Sequence, residues 1–318
     1  MADILYLVVP CYNEEEALPI SAEKLIEKLG TLISDGKVSP DSRIVLVDDG
    51  SRDKTWQLIE AFCGRENSLF CGVKLSRNRG HQNALMAGLD YARKHCDMAV
   101  SLDADLQDDI DAIDGFVEKY YEGCDIVYGV RSSRATDTAF KRGTAGAFYK
   151  LMTAMGADIV DNHADYRLMS RRALDSLFDF GEVNLFLRGI VPQIGYPTAK
   201  VYYERHERVA GDSKYPLKKM LAFAFEGITS FSVRPIKMVW GAGAFIAGLA
   251  AAAMLVLAIL LIWLEISGLW FVALTVLFAL GINLVAIGVV GEYIGKIYME
   301  TKHRPRFIVE KTLPQNKN

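Results

Sequence analysis

The stretch Met98-Ala99-Val100-Ser101-Leu102-Asp103-Ala104-Asp105-Leu106-Gln107-Asp108-Asp109 decides how the chain is read. Its first five residues are a short, mostly apolar run of the kind that forms a buried strand. Asp103, Asp105 and Gln107 then bring three oxygen-bearing side chains to one end of that strand. Oxygen ligands suit Mg²⁺ or Mn²⁺, which keep some water and bind through one or two carboxylates plus substrate phosphates. The pattern points to a metal-bridged diphosphate and so to nucleotide chemistry. Standing alone, it would equally describe a solvated acidic loop. Asp108 and Asp109 read as the start of the next helix, where acidic side chains complement the helix dipole.

Outward from this stretch, apolar runs alternate with amphipathic ones. Strands are expected over 4–9, 43–47, 69–75, 98–102 and 126–130, and helices over 14–32, 54–63, 82–94 and 110–122. Alternation at this spacing marks an α/β domain with a parallel sheet, in which ligands bind at the carboxyl ends of the strands. Polar clusters fall at those ends: Pro10-Cys11-Tyr12-Asn13-Glu14-Glu15, Asp48-Asp49-Gly50-Ser51, Ser76-Arg77-Asn78 and Asp103 to Asp109. Four clusters at successive strand ends converge on one crevice. Asp49 can accept hydrogen bonds from a base or ribose, and Asp-Gly-Ser is also good turn chemistry. No Gly-x-Gly-x-x-Gly follows a strand and no Gly-x-x-x-x-Gly-Lys occurs, which disfavours a dinucleotide dehydrogenase or a P-loop ATPase.

The 318 residues are 51% apolar with a net charge of −3, and a mean hydropathy of +0.15. No global positive field recruits nucleic acid. Five cysteines without a Cys-x-x-Cys pair fit reduced thiols in a cytosolic catalytic part and argue against zinc. The apolar excess collects in the last third. Residues 238–264 carry no charge, Glu265 interrupts, and 268–290 are again uncharged. Each run exceeds the roughly 20 residues that cross a bilayer, so a tight two-helix transmembrane hairpin is expected. Arg234 and Lys237 precede it, and Lys296, Lys302, Arg304 and Arg306 follow. By the positive-inside rule both termini and the large domain lie in the cytoplasm, making a multi-pass protein of the inner (plasma) membrane. Between the halves, residues 217–233 have apolar positions at helical spacing. They read either as an amphipathic helix at the membrane interface or as one packed on the domain core. The expected division is therefore 1–216, 217–233, 234–292 and a cytoplasmic tail, 293–318, loosely ordered after Phe307.

These motifs, in this order, resemble the family-2 glycosyltransferases of the GT-A (Rossmann-like) fold, and among them the polyprenyl-phosphate glycosyltransferases. The resemblance covers nearly the whole chain. It implies a mixed, mostly parallel sheet. It also implies that Pro10, Tyr12, Glu14, Asp49 and Asp103 hold the nucleotide, a uridine, and that Asp103, Asp105 and Gln107 bind Mg²⁺ or Mn²⁺ and the donor diphosphate. Asp165, in Asp165-Tyr166-Arg167-Leu168-Met169, matches the family's Asp-[FY]-Arg-Leu segment at the reacting centre, although an aspartate before an apolar stretch also suits a helix N-cap. With Asp105 it forms the expected catalytic pair. Arg131, Arg134, Arg205, Arg208, Ser213 and Lys214 would meet an acceptor phosphate, since arginine forks match its oxygens and lysine supplies a point charge. The expected partners are a nucleotide-sugar donor, a polyprenyl-phosphate acceptor, the membrane and, from relatives, further copies in a tetramer. A hydroxyl acceptor such as diacylglycerol, or a non-catalytic nucleotide sensor, are the competing readings. The Gln-x-x-Arg-Trp signature of processive synthases is absent, which argues against a polymerising enzyme.

Overall fold

The computed structural model describes residues 2–132, 163–182, 186–204 and 269–314, together with scattered helical positions between 236 and 256. The chain divides into two compact units, one of Met1–Ala147, Ile159–Tyr215 and Arg304–Asn318, the other of Phe148–Asp158 and Pro216–His303.

The first unit is built on β1 (Leu5–Cys11), β2 (Arg43–Asp48), β3 (Phe70–Leu75), β4 (Met98–Ser101), β5 (Ile126–Arg131), β6 (His163–Ser170), β7 (Thr198–Tyr203) and β8 (Val309–Leu313). They form one sheet in the order β7-β5-β6-β4-β1-β2-β3-β8. β1 pairs in parallel with β2 and β4, β2 with β3, and β5 with β7, whereas β6 and β8 run antiparallel to their neighbours. This is the mixed, mostly parallel sheet expected. Every residue of β1 is buried, as a central strand covered on both faces requires.

The helices between the strands are α1 (Leu18–Ser34), α2 (Thr55–Cys63), α3 (His81–Ala92) and α4 (Ala112–Tyr121). α1 buries Leu18, Ala22, Leu25, Leu29 and Leu32. Steps of three and four place them on one stripe, and each leucine so buried contributes about 1.5–3 kcal/mol. α3 lies so close to the sheet that a Cβ on Gly88 would stand 2.4 Å from Val8 Cγ1; only glycine permits that approach. After β6 come α5 (Arg171–Asp179), α6 (Leu187–Ile190) and a 3₁₀ turn, Val191–Ile194. Ser170 caps α5 by accepting the Ala173 N–H.

Two expectations are corrected. The segment after Phe307 is a strand: β8 pairs with β3, Lys311 Nζ lies 2.7 Å from Glu60 Oε1, and Lys74 Nζ lies 2.8 Å from Glu310 Oε1. Its alternation is too short and too polar to mark a strand by pattern. Asp109 serves the entry to α4, its Oδ1 accepting the Asp111 N–H at 2.9 Å and its carbonyl the Ala112 N–H at 3.2 Å, but Asp108 does not, because its carboxylate is taken by Tyr203 and Arg131.

In the second unit, α7 (Leu269–Thr301) runs for 33 residues. Its stretch Phe278–Thr301 is long and apolar enough to cross a membrane, at about 36 Å along the axis against roughly 30 Å of hydrocarbon. Phe278, Leu284, Val285, Ile287 and Ile294 are exposed, a surface that suits lipid rather than water. Most of the other expected span, 238–264, and all of the amphipathic segment lie outside the described residues, so the described helices do not support a multi-pass hairpin.

Candidate active site

The carboxyl ends of β1 and β2 carry loops laced to one another. Asn13, in the left-handed region at φ 53°, donates its N–H to Ser51 Oγ and accepts the Arg52 N–H on Oδ1. The Glu14 N–H reaches Thr55 Oγ1 at 2.9 Å, the Glu15 N–H reaches Asp53 Oδ2 at 3.1 Å, and the Lys54 N–H returns to Glu15 Oε2 at 3.1 Å. Asp49 is buried and holds the next loop down. Its Oδ1 accepts the Arg79 N–H at 2.7 Å and its Oδ2 the Gly80 N–H at 2.9 Å. Burial pushes the Asp49 carboxyl up, opposed by those two N–H groups. Gly50 sits at φ +67° with Asn78 N only 2.5 Å from where a Cβ would be. The Asp-Gly-Ser sequence is therefore both turn and crossing point. Pro10 lies buried in β1 and Tyr12 stands 40% exposed at the rim, available as a platform for a ring.

The acidic stretch follows β4. Asp103 and Asp105 are partly exposed, and Gln107 is nearly buried. The Gln107 N–H donates to Asp105 Oδ1 at 3.3 Å, and Leu106 is held at φ 44°. In the antiparallel β4–β6 ladder Ser101 stands opposite Arg167, at the end of β4 from which Asp103 follows two residues on. Ser101 Oγ clamps this turn by donating to the Asp165 carbonyl. Asp165 is thus a strand residue and not a helix cap. Arg167 Nη2 lies 2.5 Å from its Oδ1, and Arg188 Nη2 lies 3.6 Å from its Oδ2. The Leu187 N–H, which donates to Gln82 Oε1 at 2.9 Å, fixes the short helix that carries Arg188. Arg167 is buried, which lowers its pKa against the pull of Asp165.

Asp103 sits in a recess where loss of surrounding water pushes its carboxyl up, opposed by His81 and reinforced by Asp108, Asp165 and Asp105. His81 Nε2 is 3.5 Å from Asp103 Oδ1. Among the described residues no group of three or more His, Cys, Asp or Glu closes a metal cage. An open carboxylate pair amid like charges fits a hard divalent cation that completes its shell with phosphate oxygens and water.

Asp108 is the residue most misread from sequence. It is buried, and its Oδ1 accepts the Tyr203 hydroxyl at 2.6 Å and Arg131 Nη2 at 3.1 Å. Arg131 Nε donates to Tyr203 Oη at 3.3 Å, closing a ring of three side chains. Burial, with the Asp108 charge, raises the Tyr203 phenol above its ordinary value, so its proton stays and points at Asp108. The structure brings Arg131 to the same mouth as the carboxylates. Arg134, Arg205, Arg208, Ser213 and Lys214 lie outside the described residues. Arg167 stands in the Asp-Tyr-Arg-Leu segment without an expected role, whereas Arg188 and Tyr203 carry no motif and are marked only by spatial proximity to Asp165 and Arg131.

The chain matches the family model described as Glycosyl transferase family 2 over residues 6–178. It is 49% identical over 320 residues to the uncharacterized glycosyltransferase YkoT of Bacillus subtilis (strain 168), covering 96% of this chain and 91% of that one. Identity is 39% over 308 residues to the bactoprenol glucosyl transferase of Shigella phage SfV, with 96% and 97% covered. It is again 39% over 308 residues to the prophage bactoprenol glucosyl transferase homolog of Escherichia coli (strain K12), with 96% and 98% covered. A GT-A sheet with an acidic mouth, matched over more than half its length by the family model, identifies the chain as a glycosyltransferase that belongs to glycosyl transferase family 2.

Proposed function

We propose that the protein transfers a hexose from a nucleotide sugar, read as a UDP-sugar, to an undecaprenyl-type polyprenyl phosphate at the cytoplasmic face of the membrane, inverting the anomeric centre. One observation carries the reading. Relatives named bactoprenol glucosyl transferase align over 96% of this chain, well beyond the family-model match at 6–178. The exposed apolar face of α7 supports a membrane-bound acceptor.

A phosphate monoester with a second pKa of about 6 is mostly dianionic at neutral pH and needs no strong base to attack. Catalysis then reduces to positioning and charge stabilisation. Asp103 and Asp105, with Gln107, would hold the divalent cation, which when bound neutralises the departing nucleoside diphosphate. Tyr12, Glu14 and Asp49, on the laced loops, would hold the nucleoside. Arg131 would meet the acceptor phosphate, with the basic residues at 134, 205, 208 and 214 as further ligands. Asp165 lies between two guanidiniums, those of Arg167 and Arg188, which hold the carboxylate in place. That environment suits a fixed carboxylate facing developing positive charge on the sugar, not a proton acceptor.

The test is transfer by membranes containing the protein, supplied with polyprenyl phosphate and a panel of radiolabelled nucleotide sugars, followed by lipid extraction. Label in a polyprenyl-phosphate sugar is expected. Label confined to diacylglycerol lipids, or turnover unchanged in Asp105→Ala, would overturn the reading.

A further inference from the structure

We infer that Asp108 and Tyr203 are positioning residues that aim the Arg131 guanidinium at the acceptor phosphate. This rests on the proposed reading of Arg131 as a phosphate ligand. Arginine presents two forks, one formed by Nε with an Nη and one by the two Nη groups. Here Nε and Nη2 are taken by Tyr203 Oη and Asp108 Oδ1, so one fork is anchored inside the protein. Among the described residues Nη1 has no partner, and the Arg131 side chain is 30% exposed against 4% for Asp108. The guanidinium is therefore gripped from behind and open in front. An arginine side chain otherwise carries about 2 kcal/mol of rotamer entropy, and anchoring it in advance removes that cost from ligand binding.

The ring is itself held in place. Tyr203 closes β7 directly opposite Arg131 in the parallel β5–β7 register. Its ring packs edge-on against Tyr166 at 5.3 Å, and its carbonyl accepts the Ser132 N–H at 2.8 Å. Tyr166 Oη in turn donates to the Asp109 carbonyl at 2.8 Å. The end of the acidic stretch, the end of β5 and the end of β7 thus share one fixed corner. Asp108 follows Gln107 directly in the chain, so the corner adjoins the diphosphate side of the mouth.

Two readings of Asp108 predict opposite signs. A mere negative charge near the site would repel a dianionic phosphate, so Asp108→Asn would lower KM for the lipid phosphate. A positioning carboxylate gives the reverse. The experiment measures KM for polyprenyl phosphate and for nucleotide sugar, with Tm in detergent, for Tyr203→Phe, Asp108→Asn, Arg131→Ala and the Arg131→Ala/Tyr203→Phe double variant. Tyr203→Phe keeps the ring and every charge. It is expected to raise KM for the lipid phosphate about tenfold, as loss of one hydrogen bond to a charged group implies, with KM for the nucleotide sugar unchanged. Asp108→Asn should raise the same KM at least as much, and Tyr203→Phe should add nothing once Arg131 is alanine. If Arg131→Ala raises the acceptor KM but Tyr203→Phe and Asp108→Asn leave it unmoved or lower it, the positioning role is wrong while the phosphate-ligand reading stands. If Arg131→Ala itself leaves the acceptor KM unchanged, that reading falls first. An equal rise of both KM values with a fall in Tm would mark the corner as structural only and overturn the inference.

Discussion

The two sides of the sheet mouth are built from different interactions. On the side of β1, β2 and β3, the loops are joined by bonds between backbone N–H groups and side-chain oxygens: Asn13 with Ser51, Glu14 with Thr55, Glu15 with Asp53, and Asp49 with Arg79 and Gly80. On the side of β4, β6 and β7, the corresponding links are ion pairs and buried hydroxyls, namely Asp165 with Arg167 and Arg188, and Asp108 with Arg131 and Tyr203. The first arrangement fixes the loops by meeting side-chain oxygens, including the Asp49 and Asp53 carboxylates, with neutral backbone N–H groups. The second concentrates charge and compensates it pair by pair. Rigidity comes from many modest bonds in one case and from a few strong ones in the other.

Breaking the charged side should cost most. Asp165→Ala leaves Arg167, only 3% exposed, without its carboxylate; unfolding in detergent should show a loss of about 3–5 kcal/mol, together with loss of transfer. Asp105→Ala should reduce kcat by about 10²–10³-fold, read by labelled sugar reaching lipid, and full activity would remove Asp105 from the site. On the laced side, Gly50→Ala forces a Cβ against Asn78 at φ +67°. A cost of about 1–3 kcal/mol is expected, with KM for the nucleotide sugar rising and KM for the lipid unchanged. Ser51→Ala removes one lace, worth about 1 kcal/mol, and should shift the same constant in the same direction by less. The smallest effect belongs to neither side. Burial raises the Asp114 carboxyl, but hydrogen bonds from Lys28 and Lys37 outweigh it and hold the group below its ordinary value. Its stabilisation is therefore present above about pH 4 and lost as pH falls further. Asp114→Asn should flatten that part of the stability–pH curve by under about 1 kcal/mol.

The parallel half of the fold was legible because each strand and helix there declares itself within its own residues. β1 to β5 and α1 to α4 fall within a few residues of the runs expected from periodicity. Asp103, Asp105 and Asp165 were legible as candidates by motif. The antiparallel entry of β6 between β4 and β5 was not, since its register depends on residues some 66 positions apart, such as Ser101 and Arg167. Asp108 was misread for the same reason. Locally it resembles acidic dressing at a helix start, and only Tyr203, 95 residues later, makes it a buried acceptor. Arg188 sits in a four-residue helix, too short to carry any periodic signal.

β8 has a consequence for how the chain acquires its structure. The ion pair between Lys74 and Glu310 joins residues 236 positions apart, with the whole of α7 between them in the chain. Closing so long a loop carries an entropic cost that must be met before the contact is rewarded. During synthesis β1 to β3 emerge long before β8, so the outer edge of β3 stays unpaired until the apolar helix has left the ribosome. For that interval the edge is open to the wrong strand, and completion of the sheet becomes a late event that follows synthesis of α7.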